Sequence, residues 1–386
     1  MTSENPPRRR LRPRAALAGR RAGGDEHRAV SSDLPSARPH WAARIEDVKN
    51  RLIASGLRAV GWDVRLQPYT GYGTPSRVRV LAKALYAPPR TPADHHDQPV
   101  HDMRTMAVRG FRSFASQCAP RERVRIDVGE RSFTVRADRA GIIDAMLDVE
   151  LTPGRHEAVL STHAGNAITT DVLVFDPAQR LGLVSDIDDT VVITWLPRPL
   201  LAFWNAFVLQ QSSRKVVPGM PALYQEIARA RPGIPFLYLS TGAWNVYPVL
   251  RRFLFKNGYP DGPMLLTDWG PTNTGFFRSG MQHKLRSLDL LRTTFPELRW
   301  LLVGDDGQHD PEIYGGFSRE HPEAVEAVAI RQLSNAEQVL SHGARHAEAD
   351  ERAAGRTAVE GAGIPWMEAP DGHGLLREMR ERRVLP

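Results

Sequence analysis

The sequence predicts an α/β fold, a parallel sheet with helices between its strands, preceded by a small β-sandwich. Three observations carry that expectation. Largely apolar runs near 181–186, 235–240, 263–268, 299–304 and 326–331 are short enough for strands and apolar on both faces, as parallel strands covered by helices must be. The intervals between them leave room for crossover helices. Upstream the pattern changes to Val- or Arg-alternating runs near 78–86, 108–114, 123–128, 132–137, 143–149 and 156–161, divided by turn signals such as Gly129-Glu130 and Pro153-Gly154. Such runs suit a sheet with one wet face.

Five regions follow in order. Residues 1–40 read as a disordered basic tail, since Pro6-Pro7-Arg8-Arg9-Arg10 combines charge repulsion with Pro, and no apolar stretch follows to make a secretory signal. Residues 41–61 carry helical spacing through Ile45, Val48, Leu52 and Ile53, with Gly61 as the stop. Residues 62–176 form the β unit, 177–342 the parallel α/β domain, and 343–386 a linker and tail closed by a short helix over 375–380. Length and 41% hydrophobic content suffice for two cores, and no apolar run approaches the roughly 20 residues that span a bilayer. The single Cys118 excludes a disulfide framework and reads as a buried filler. These features place the chain in the cytoplasm, with a peripheral position at the inner membrane face as a further expectation. The net charge of +7 rests on the tail, so nucleic acid is not an expected partner. Adjacent His95 and His96, with Asp94 and Asp97, read as solvated loop, because neighbouring side chains rarely converge on one ion.

Four segments carry chemistry. The strand ending Ser185-Asp186-Ile187-Asp188-Asp189-Thr190 places carboxylates at alternate positions. Two such groups can share one Mg²⁺, which allows Asp186 to stay an anionic nucleophile beside a phosphate while Asp188 donates the proton. A chance acidic turn explains this segment equally well, and the later segments decide between the two. Phe236-Leu237-Tyr238-Leu239 delivers Ser240-Thr241-Gly242, a hydroxyl and free N–H groups for phosphate oxygens, with Ser240 as the donor. Lys284 is one of only five Lys in an Arg-rich chain, and its ammonium can neutralise charge in phosphoryl transfer and bind phosphate. Asp305-Asp306-Gly307-Gln308-His309-Asp310 supplies hard oxygens; Asp305 and Asp310 are the favoured metal ligands beside Asp186 and Asp188, with Asp306 as the alternative.

Together these segments resemble the haloacid dehalogenase superfamily of aspartate-nucleophile phosphatases, with a Rossmann-like sheet. The flanking Pro218-Gly219-Met220, Leu239-Ser240-Thr241-Gly242-Ala243-Trp244-Asn245 and Gly304-Asp305-Asp306-Gly307-Gln308-His309-Asp310-Pro311-Glu312-Ile313-Tyr314 narrow the resemblance to the actin-patch-protein type of phosphatidate phosphatase, over roughly residues 105–340. The resemblance implies Mg²⁺-dependent conversion of phosphatidic acid to diacylglycerol. Both Asp186 and Asp188 are present, whereas related lipid-sensing chains without a working acid residue bind phosphatidic acid and do not hydrolyse it.

Intervals of about 50 residues between Asp186 and Ser240, and about 44 between Ser240 and Lys284, leave no room for a large cap. An uncapped site favours a lipid phosphate or a macromolecular phosphoester over a small enclosed metabolite. The segment Leu200–Leu209, with Trp204 and Phe207 and with Arg198, Arg214 and Lys215 around it, reads first as core and second as a helix touching an anionic membrane surface. Three readings remain: phosphatidate phosphatase, phosphatase on a protein or nucleic-acid phosphoester, and non-catalytic phosphatidic-acid sensor.

Overall fold

A computed structural model of the chain describes residues 55–57, 59–88, 117–193, 215–267, 276–307, 309–334, 337 and 347–385. The basic tail, most of the 41–61 helix, the 108–114 run, the Asp94–Asp97 loop and the Leu200–Leu209 segment lie outside the described residues.

Among the described residues seven strands make the N-terminal β unit: β1 (Asp63–Thr74), β2 (Arg77–Ala87), β3 (Arg123–Val128), β4 (Arg131–Arg136), β5 (Ile142–Asp148), β6 (Gly154–Thr162) and β7 (Ala167–Val174). Hydrogen bonds join them in one sheet, in the order β4-β3-β6-β7-β1-β2-β5. The two edges, β4 and β5, come back into contact, so the sheet rolls over its own inner face. Alternation makes that face apolar. In β3, Val124, Ile126 and Val128 are buried while Arg125 is exposed, and they join Val78, Val80, Leu147 and Leu160 in one core. Strands β1 and β7 were absent from the expected set. Pro68, Gly71 and Gly73 break the β1 pattern, and its register against β2 shifts between Tyr69 and Tyr72. At Gly71 a Cβ would lie 2.4 Å from the Arg79 carbonyl oxygen, so the close approach requires glycine.

The second unit is a six-stranded parallel sheet, built from β8 (Leu181–Asp186), β11 (Phe236–Ala243), β12 (Met264–Thr267), β13 (Arg299–Asp305), β14 (Val325–Arg331) and β15 (Trp366–Ala369). Its helices are α1 (Met220–Ala230), α2 (Tyr247–Lys256), α3 (Phe276–Thr294), α4 (Asp310–Glu320), α5 (Ala347–Gly361) and α6 (Gly372–Glu381). A short antiparallel pair, β9 (Val192–Ile193) with β10 (Lys215–Val216), stands apart from it. The strand order β12-β11-β8-β13-β14-β15 reverses direction at β8. In an open α/β sheet that reversal leaves a crevice beyond the carboxyl ends of the strands, where ligands bind.

Within the C-terminal region the described residues 347–385 are not the expected linker. Strand β15 pairs with β14 and buries Trp366 and Met367, and α5 packs on α4 so closely that a Cβ at Gly355 would lie 2.1 Å from the Pro311 carbonyl oxygen. The segment Ala347–Gly361, rich in Ala, Gly, Arg and Glu, is a helix whose small residues permit that approach. The two units also share a core: Tyr69, Tyr72, Leu81 and Ile142 of the β unit pack into the apolar cluster of the parallel sheet. Cys118 is partly buried, in an isolated bridge to Leu85. Among the described residues no helix is long and apolar enough to cross a membrane.

Candidate active site

Each candidate catalytic, phosphate-binding or metal-ligating residue singled out in the sequence lies at the carboxyl edge of the parallel sheet or next to it. Strand β8 ends at Asp186, β11 carries Ser240, Thr241 and Gly242 near its end, and β13 ends at Asp305. Lys284 comes in from α3, and Asp310 opens α4. Asp186, Ser240, Asp305 and Asp310 are fully buried, and Lys284 nearly so.

The residues divide into two groups. In the first, Lys284 Nζ donates to Asp186 Oδ1 at 2.6 Å and to Asp310 Oδ1 at 2.5 Å. Thr190 Oγ1 lies 3.2 Å from Asp186 Oδ2 and 3.4 Å from Asp305 Oδ2, donating to these carboxylates. Asp310 Oδ2 accepts from the Asp305 N–H at 3.3 Å, and Asp305 Oδ1 from the Gly307 N–H at 2.7 Å. Glycine at 304 is what lets Asp310 come so near, because a Cβ there would lie 2.4 Å from Asp310 Oδ2. One carboxylate oxygen from each of Asp186, Asp305 and Asp310 falls within 4.8 Å of the others. Three hard oxygens at that separation fit a divalent cation such as Mg²⁺.

In the second group, Ser240 Oγ donates to Asp188 Oδ2 at 2.7 Å and accepts from the Gly242 N–H at 2.9 Å. Asp188 Oδ1 is buried with no hydrogen-bond partner among the described residues. The Asp188 carboxylate was expected among the metal ligands but stands outside the three-carboxylate cluster, bound to Ser240 instead. Asp306, the alternative ligand, also stands outside it: its Oδ1 accepts from the Leu333 N–H at 2.7 Å and its Oδ2 from Arg352 Nη1 at 2.6 Å. Adjacent residues leaving a strand end point to opposite sides, so only one of Asp305 and Asp306 can face the cluster.

Burial dominates the electrostatics of the carboxyls in both groups. Burial pushes the Asp186 carboxyl up, and the Lys284 ammonium and the Thr190 hydroxyl pull it back. Asp310 is pushed up to about 7 by burial, against the pull of Lys284. Lys284 is driven above its ordinary value: burial opposes its charge, but Asp186 and Asp310 more than offset that, so it remains an ammonium. Asp188 is raised to about 7, by burial first and then by the negative charge of Asp186, with the Ser240 hydroxyl opposing.

Several residues in the supporting shell escaped the sequence reading. Thr190 ties Asp186 to Asp305, and its place in Asp-x-Asp-x-Thr was the signal for it. Arg331 donates from Nη1 to the carbonyl of Asp189 at 2.7 Å and pairs with Glu337. Asp189 sits at φ 54°, a left-handed turn that sends the chain away from the strand end. Tyr224 and Ser185 share a buried hydrogen bond of 2.5 Å next to Asp186.

Residues 181–332 match the family described as phosphatidate phosphatase APP1, catalytic domain. Phosphatidate phosphatase APP1 of Saccharomyces cerevisiae is 25% identical over 221 residues, which cover 56% of this chain and 37% of that protein. An uncharacterized protein of Schizosaccharomyces pombe is 21% identical over 168 residues, covering 43% of this chain and 27% of its own length. The chain thus spans well under half the length of either curated relative. Among solved structures, the HAD domain of the Legionella pneumophila effector protein Lem4 is 16% identical at a TM-score of 0.28, covering 41% of this chain and 88% of that one. That structural likeness is too distant to weigh. The matched segment runs from the first residue of β8 to one residue past β14 and includes the candidate catalytic and ligand residues placed above, so residues 181–332 are similar to the catalytic domain of phosphatidate phosphatase APP1.

Proposed function

We propose that the chain is a Mg²⁺-dependent phosphatase that removes phosphate from phosphatidic acid, giving diacylglycerol, through an aspartyl-phosphate intermediate. The observation that carries this reading is the difference between Asp186 and Asp188, two carboxyls at one strand end with unlike surroundings. Asp186 accepts from Lys284 and Thr190, two contacts that favour its anionic form against the burial that raises its pKa. Asp188 is raised to about 7 and has one buried oxygen without a partner among the described residues, as suits a proton carrier.

In the first step an Asp186 carboxylate oxygen attacks phosphorus, the bond from phosphorus to the glycerol oxygen breaks, and Asp188 gives its proton to that oxygen. In the second, water attacks the phosphoryl group, Asp188 takes a proton from the water, and Asp186 is released with inorganic phosphate. Ser240, Thr241, Gly242 and Lys284 hold the transferring phosphoryl oxygens. Asp186, Asp305 and Asp310 would hold the cation, which when bound supplies positive charge to the phosphoryl group and lets three buried carboxylates coexist. The lipid substrate rests on the likeness to APP1 and on the expected absence of a large cap. The protein would work on the cytoplasmic side, meeting an anionic membrane surface peripherally, with the rolled β unit as a small sandwich-like accessory domain.

The test is release of inorganic phosphate by the purified full chain with Mg²⁺, from phosphatidic acid in vesicles and from a panel of soluble phosphoesters. Faster release from vesicles than from a short-chain glycerol phosphate at equal bulk concentration is expected. Equal rates defeat the lipid reading and redirect it to macromolecular phosphoesters. Vesicle binding with no release from any substrate would make the chain a sensor.

A further inference from the structure

The β unit does more than pack beside the catalytic sheet; it grips the residues that follow the phosphate-binding end of β11. After Ser240-Thr241-Gly242 the chain makes one 3-10 turn, Trp244–Val246, and enters α2 at Tyr247. Tyr69 of β1 stacks on Trp244, with ring centres 4.3 Å apart, and its hydroxyl reaches the Trp244 carbonyl at 3.4 Å. Thr70 binds the Tyr247 hydroxyl at 2.9 Å through both its N–H and its side chain. Between these holds, Lys83 Nζ of β2 donates to Asn245 Oδ1 at 3.1 Å.

Lys83 is the informative member. It is only 6% exposed, between fully buried Ala82 and Ala84, and among the described residues no ion pair neutralises it. If packing were all that mattered, a methionine or leucine would fill the position with less desolvation. A buried ammonium directed at the residue five positions after Ser240 serves instead to fix where that turn lies. A phosphate-binding strand end must be held within a fraction of an ångström to act on a transition state.

We propose that Lys83 is a positioning residue for the phosphate-binding segment 240–247, and that the β unit is thereby part of the catalytic apparatus rather than a tethered accessory. This rests on the phosphatase reading for its effect on turnover, but not for its effect on the segment itself. The experiment compares Lys83→Met, Asn245→Leu and the double variant in the full chain, with Arg155→Gln as control. Arg155 makes a different contact across the same interface, to Asp261, remote in sequence from the motifs. Turnover and amide hydrogen exchange of peptides covering 240–247 are measured together, after melting curves establish that each variant is folded. Lys83→Met is expected to lower kcat about tenfold with KM changed less than about twofold, and to speed exchange across 240–247. Asn245→Leu is expected to match it, with the double variant no worse than either single one, while Arg155→Gln leaves both readouts unchanged. If Lys83→Met is unfolded, Asn245→Leu carries the comparison. Wild-type kcat and wild-type exchange in the folded variant overturn the proposal, as does an equal loss in Arg155→Gln. A wild type inactive on every phosphoester would sink the phosphatase reading, and the exchange data alone would then decide the role of Lys83.

Discussion

The two sheets treat buried polar groups in opposite ways. In the parallel sheet they gather at the carboxyl edge, where Asp186, Asp188, Ser240, Asp305, Asp310 and Lys284 lie within or beside one cluster. In the rolled β sheet the few buried polar groups with partners beyond the sheet, Thr70 and Lys83, direct them to the other unit. One sheet therefore concentrates buried charge at one edge, and the other directs its buried polarity to the segment that follows Ser240. The parallel topology is the physical reason for the first pattern, since every strand there ends at the same edge and the chain reverses beside β8.

The sharpest way to break the comparison is at the centre of the charged cluster. Asp186→Asn should lower turnover by at least about 10³, because an amide cannot form the acyl phosphate, while leaving far-ultraviolet circular dichroism unchanged. A retained tenth of wild-type activity in phosphate release would show that the cluster is structural. Metal loading tests the same point without turnover. Chelation should abolish activity, and Mg²⁺ should restore it and raise the melting temperature of the wild type, by about 2.7 kcal/mol of stabilisation at a hundredfold excess over Kd. That rise should vanish in Asp305→Asn, which removes one of the three converging carboxylates. An unchanged rise would move the metal elsewhere.

A smaller effect separates Asp305 from its neighbour. Asp306 is held by the Leu333 N–H and by Arg352 from α5, a helix beyond the family match. Asp306→Asn should therefore keep turnover within about tenfold of wild type and lose about 1–2 kcal/mol of stability in urea melts. A thousandfold loss of turnover would return Asp306 to the metal site.

How much of this was legible in the sequence follows the same contrast. The four motifs could be read because parallel strands are apolar runs with chemistry at one end, so Asp186, Ser240 and Asp305 announce themselves by following Val184, Leu239 and Val303. What could not be read was the direction of each side chain at the edge: Asp188 turns to Ser240 and Asp306 to Arg352, a choice made by backbone geometry rather than residue type. The β unit hid β1 behind Gly71 and Gly73, whose close approach to β2 is a contact between distant residues. Its grip on Trp244 to Tyr247 was illegible for the same reason, since 162 residues separate Lys83 from Asn245.

The smallest expected effect lies on the seam between the two units. His283 has a pKa lowered to about 4, by burial first, with further lowering from the charges of Arg79, Lys284 and Arg286 and partial relief from its hydrogen bond to the Leu265 carbonyl. The sign follows directly. Between about pH 6.5 and pH 4 the unfolded chain takes up a proton that folded His283 refuses, so the folded state loses stability as pH falls through that window and keeps it above. His283→Gln removes this one source of acid sensitivity. Its melting temperature should fall less than that of the wild type on going from pH 7 to pH 5, by about 2 °C. Parallel curves for the two proteins over that range would mean that the imidazole reaches solvent, and that the seam beside Arg79 is looser than the contacts around Lys83 imply.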